Sequence, residues 1–193
     1  MRTKHWYDYL WLGELAYYVL GFFNILFAWL GMIFFLTPLA FAIFKGDKSY
    51  CNKYCGRGQL FYKTGQTFSL NRPLPSFMRT KYFRYGFLVF FMSMFINMLV
   101  VTVLVAMDTR TLTEVVRVFW TFDLPWAFAM HTPVSPWIAQ FAFGFYGLMM
   151  TSTLLGLITM RFFKPRGFCV YCPMGTMTQG ICQLKHRGEN SHS

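Results

Sequence analysis

Three charge-free stretches dominate the chain: no Lys, Arg, Asp or Glu occurs from Leu15 to Phe44, from Tyr85 to Met107, or from Leu124 to Met160. Each exceeds the roughly 20 residues that a spanning helix needs. Pro125, Pro133 and Pro136 interrupt the last run. Its spanning part is therefore 137–160, with Pro136 at the helix start, where a missing N–H costs nothing. The pattern predicts an all-α integral membrane protein, a single membrane domain over 1–193 with transmembrane helices at about 15–44, 85–107 and 137–160. A cleaved signal peptide does not suit the N-terminus. The first run is about twice an ordinary signal core, holds Asn24 and Pro38, and is followed by no small-residue cleavage pattern.

Short interfacial helices are expected beside the spans. Trp6, Tyr7, Tyr9 and Trp11 suit the membrane interface. The stretch Gln59-Leu60-Phe61-Tyr62 begins a helix in the loop between spans one and two, and Arg72-Pro73-Leu74-Pro75 breaks the chain before span two. Beyond span two, Thr111-Leu112-Thr113-Glu114 has the spacing of a capping box and precedes Val115, Val116, Val118, Phe119 and Trp120. A short amphipathic helix follows from that pattern. Pro38 should bend the first span, and Asn24 and Asn97, at mid-membrane positions, should hydrogen-bond between helices.

Composition agrees with a membrane setting, since 55% of residues are hydrophobic and 13% charged. The net charge of +11 is explained by position. Nine bases against the single acid Asp47 lie between Lys45 and Arg84, and Arg161, Lys164, Arg166, Lys185 and Arg187 follow the third span. Basic loops are retained in the cytoplasm. The reading is N-terminus out and C-terminus in across a prokaryotic cytoplasmic membrane, with the loops 45–84 and 161–182 facing the cytoplasm. The basic residues thus serve the lipid bilayer, and no nucleic-acid partner is called for.

Both basic loops carry a cysteine doublet, Cys51-Asn52-Lys53-Tyr54-Cys55 and Cys169-Val170-Tyr171-Cys172-Pro173. Aligned on their second cysteines they form a short repeat, Tyr54-Cys55-Gly56-Arg57-Gly58 against Tyr171-Cys172-Pro173-Met174-Gly175, each preceded by a Phe-Lys pair. Disulfides are disfavoured in a reducing compartment. Four soft thiolates in two pairs suit either an iron–sulfur cluster or a structural zinc ion. Cys51, Cys55, Cys169 and Cys172 would each bind one iron of a 4Fe–4S cluster, and Gly56, Gly58 and Gly175 would let backbone N–H groups approach its sulfides. Cys182 has no partner and reads as a packing residue.

These segments resemble the membrane-embedded ferredoxin modules of the NosR/NapH type, which carry two Cys-x-x-x-Cys-Pro motifs, each just after a span on the cytoplasmic side. The resemblance covers roughly 44–58 and 163–175. It implies electron transfer between the quinone pool or cytoplasmic donors and extracytoplasmic reductases or flavin-carrying partners, and neighbouring membrane subunits that carry flavin or haem are the expected partners. Three departures stand out: Gly56 replaces a proline, the second doublet has two residues between its cysteines, and the additional ferredoxin run of the relatives is missing. There is room for one cluster at most, and zinc or mononuclear iron stays open.

The sequence is accordingly read as an electron-transfer subunit of an oxidoreductase complex rather than a stand-alone enzyme, with other membrane redox subunits as partners. The alternative is a zinc-binding membrane scaffold or assembly factor without a redox role. In a third reading His131 touches quinone at the outer face.

Overall fold

The computed structural model describes residues 6–46, 50–119, 121–129 and 133–191. It is mostly helical, and three helices are long and apolar enough to cross a membrane: Ile25–Lys45, Lys81–Ala106 and Pro136–Phe162. The second and third lie close to the expected spans.

The first expected span, 15–44, is divided. Helix α1 is Leu10–Phe23, Asn24 follows in extended conformation (φ −144°, ψ 117°), a 3-10 turn covers Ile25–Leu30, and α2 is Gly31–Lys45 with Pro38 inside it. Asn24 does not bridge helices as expected. Its side chain accepts the N–H of Leu26 at 3.0 Å and caps the turn. The chain then doubles back. Gly13 faces Phe34 and Gly31 faces Tyr17, so α1 and α2 are antiparallel neighbours. An uncharged run records solubility in lipid and says nothing about direction, so one capping side chain can fold it in two.

The doubling back moves the N-terminal segment. Gln59 Nε2 donates to Tyr7 O at 2.9 Å, and a Cβ built on Gly56 would stand 2.7 Å from Leu10 O. Residues 7–14 therefore rest on the first cysteine loop, and the expected placement of that segment on the opposite face is not what the fold shows.

Helix α3, Gly56–Phe68, contains the helix expected from Gln59 onward, and α4 is Lys81–Ala106. After α4 the anticipated amphipathic helix is instead a hairpin. Strands β1 (Val115–Val118) and β2 (Phe122–Pro125) pair antiparallel, with Val116 opposite Leu124 and Arg117 opposite Asp123. Val116 and Val118 are buried and Arg117 is exposed, the period-two pattern of a strand, and β-branched side chains favour it. Phe119 turns the chain at φ 55°. The capping box never forms, because the residues it would precede enter a strand at Val115, and the Thr113 N–H donates to Gln140 Oε1 at 3.0 Å. Helices α5 (Pro136–Phe162) and α6 (Pro173–Ser191) complete the order. Each opens on proline, as a first helical position allows.

The residues group into two compact units. One comprises Met1–Glu14, Phe34–Leu88 and Leu155–Ser193, the other Leu15–Ile33 and Val89–Leu154. In the first, Phe61, Met160, Phe168 and Tyr171 form the buried core, and the ring of Phe61 lies against Gly156 where no Cβ would fit. In the second, Tyr18 Oη donates to Met149 O at 3.1 Å, Tyr146 Oη donates to Tyr18 O at 3.0 Å, and Gly21 admits the Tyr146 ring.

Candidate metal centre

All four predicted cysteines belong to the first unit. Cys51 sits in a π-helical turn, Tyr50–Tyr54, and Cys55 caps the start of α3. Its backbone is extended (φ −70°, ψ 103°), and its Sγ accepts the Gly58 N–H at 3.4 Å. Cys169 lies in the turn Gly167–Val170, and Cys172 directly precedes α6. Backbone N–H groups of Gly175 and Met174 point to the Cys172 sulfur. The sequence repeat is thus a structural repeat in which the second cysteine of each doublet stands at a helix start. That position suits negative sulfur, since the N–H groups there carry the positive end of the helix dipole.

The two loops meet although more than a hundred residues separate them. Cys51 Sγ lies 3.8 Å from Thr178 Oγ1 on α6. A Cβ added to Gly58 would lie 3.6 Å from both Cys55 Sγ and Cys169 Sγ. Phe168 and Tyr171, beside the second doublet, are anchored in the core, where Tyr171 meets Phe83 and Phe87 edge-on. The packing that closes this unit therefore also fixes the doublets.

Every pair among the four thiols interacts electrostatically. Burial, reinforced by Cys172, pushes the Cys55 thiol up to about 12, and burial with Cys172 and Cys55 does the same at Cys169, also about 12. Cys172 is raised chiefly by burial. Arg57 opposes the shift at Cys55 and Cys172, and Arg166 opposes it at Cys169. Tyr50 is likewise raised, by burial and then by Cys55. Cys51, Cys55 and Cys172 are half-buried and Cys169 is an exposed residue, and four sulfurs that repel as thiolates at such close quarters are a setting in which a cation gains by displacing protons. As they stand the sulfurs do not close into a ligand set: among the described residues no group of three or more His, Cys, Asp or Glu is arranged to hold a metal ion. The donor chemistry, the N–H groups aimed at sulfur and the Gly58 backbone beside two sulfurs fit a thiolate-bound centre.

One contributor was not anticipated. Glu14 Oε1 accepts from Arg57 at 2.8 Å (Nη2) and 2.9 Å (Nε), with side chains only 3% and 15% exposed respectively. Its signal in the sequence is its place as the last charge before the first apolar run. Gly56 explains its own departure from proline, because any Cβ there meets the Leu10 carbonyl. Cys182 is buried on α6. His131 lies outside the described residues.

Comparison with family models, with curated proteins and with solved structures gave no match. The centre is therefore interpreted from its own chemistry.

Proposed function

We propose that this chain is an electron-transfer subunit of a membrane redox complex, holding one iron–sulfur cluster, of the 4Fe–4S type, on Cys51, Cys55, Cys169 and Cys172 at the cytoplasmic face. The observation that carries the reading is the meeting of two distant doublets, each with its second cysteine at a helix start and N–H groups directed at its sulfur. A cluster bound there supplies a centre that gains and loses single electrons. The chain's own residues hold the sulfurs at two helix starts, exclude water with the Phe61–Phe168–Tyr171 core, and offset negative charge with Arg57.

Charge supports the sidedness. Among the described residues the cysteine-bearing unit contains thirteen Lys and Arg and three acids, net +10, while the other unit has two bases and three acids, net −1. Residues 7–14 lie against the first cysteine loop, so that segment is assigned to the cytoplasmic side with the cysteines. Donor and acceptor are other membrane redox subunits, as in the NosR/NapH-type modules that the doublets resemble.

The test is iron, acid-labile sulfide and zinc content of protein purified anaerobically in detergent, with an electron paramagnetic resonance spectrum after dithionite. About four irons and four sulfides per chain are expected, lost in Cys172→Ala. One zinc without sulfide would replace this reading with a structural zinc site in a membrane scaffold.

A further inference from the structure

The hairpin of the second unit packs along the middle of α5. The Phe119 N–H donates to Thr151 Oγ1 at 3.3 Å, and the backbone of Arg117 touches Gly147, where a Cβ has no room. Gly147 is two residues from the midpoint of the 27-residue helix Pro136–Phe162, about 3 Å along its axis. In a membrane-crossing helix that is the depth of the bilayer centre. Non-helical backbone and ionisable side chains persist at such depth where protein or a polar cavity receives them, and they mark functional sites by default.

A cavity of about 70 Å³ lies there. Asn97, Arg110, Arg117 and Gln140 supply most of its polar wall, Met98 and Leu148 part of its apolar wall, and among the described residues no carboxylate lines it. Asp123 engages Arg117 Nε at 3.1 Å, but Arg110 and Asn97 have no hydrogen-bond or ion-pair partner among the described residues. Gln140 uses its oxygen on the Thr113 N–H, which leaves its amide nitrogen as a donor. Arg110 and Arg117 are both exposed and bring two guanidinium groups to the cavity, with Asp123 paired to one of them. The volume is several times the roughly 10–15 Å³ that a single water needs, which leaves room for an oxyanion.

We propose that this cavity binds an oxyanion, a carboxylate or phosphate group, with Arg110 and Arg117 supplying charge and Asn97 and Gln140 supplying amide donors. The anion is either small and soluble or carried by a membrane amphiphile. The proposal is independent of the metal centre.

The full chain in dodecylmaltoside is titrated with phosphate and with acetate against chloride at matched ionic strength, reading thermal stability. In parallel, native mass spectrometry scores phosphatidylglycerol retained from mixed micelles. Saturable stabilisation by phosphate or acetate identifies a soluble anion, and retained phosphatidylglycerol a lipid-borne one; either supports the site if the apparent Kd rises about tenfold to a hundredfold in Arg110→Gln, as loss of a charge-assisted hydrogen bond predicts. Asn97→Leu, which leaves both arginines and Asp123 in place, should weaken binding in the same assay. Neither saturable stabilisation nor retained lipid, or an equal response in wild type and both variants, overturns the proposal.

Discussion

Replacing Glu14 by Gln keeps the outline of the side chain and withdraws the carboxylate from Arg57, the cation nearest the second cysteine of the first doublet. At 2.8 Å and an effective dielectric of about 20, the gross attraction of the pair is about 6 kcal/mol. Removing a carboxylate and a guanidinium from water when they are 3% and 15% exposed takes back roughly half of that. About 3 kcal/mol is therefore expected for Glu14→Gln, at the lower end for breaking a buried pair from one side. The assay is an SDS titration of the protein in dodecylmaltoside, followed by tryptophan fluorescence, for wild type, Glu14→Gln, Arg57→Gln and the double variant. Since each single change removes the same interaction, the double variant should cost little more than the worse single one. Additivity of the two single effects within about 0.5 kcal/mol would refute the reasoning, because that is how independent sites behave. Metal content measured on the same samples should fall further in Arg57→Gln than in Glu14→Gln, as Arg57 offsets negative charge at Cys55 and Cys172.

Two further outcomes are expected. Burial holds the Cys55 and Cys169 thiols protonated up to about 12, above their ordinary 9.0, so the stabilisation they give the metal-free protein is complete below pH 9.0 and is lost as pH rises toward the folded values. Unfolding free energy of metal-free protein should fall between mildly and strongly alkaline buffer, and a flat profile would contradict desolvation of the thiols. Asn24→Ala removes the cap at the reversal between α1 and α2 and should destabilise by about 1 kcal/mol; an unchanged SDS midpoint would show that the cap does not hold the turn.

The membrane class was legible from the three charge-free runs, because the cost of placing a charge in hydrocarbon is a property of composition and length. The place of Cys55 and Cys172 at helix starts was legible for a related reason: matched doublets with glycine or proline behind them are local patterns, and a helix start is a local structure. Elements that depend on which surface faces which were not. Val115, Val116 and Val118 fit a helix face or a strand, and contact with Gly147 and Thr151 on α5 selects the strand. Asn24 reads as an interhelical bridge until the chain doubles back and makes it a cap.

What the sequence by itself determined is the solvent each segment prefers and the soft-donor character of its paired sulfurs, since both follow from side-chain chemistry. Only the tertiary structure decided that Glu14 reaches Arg57, that residues 7–14 lie beside the first doublet, and that the two doublets share one space. Those are contacts between distant parts of the chain, and packing selects them because a buried charge, a helix end or an apolar ring is stable only against the particular partner that the fold brings to it.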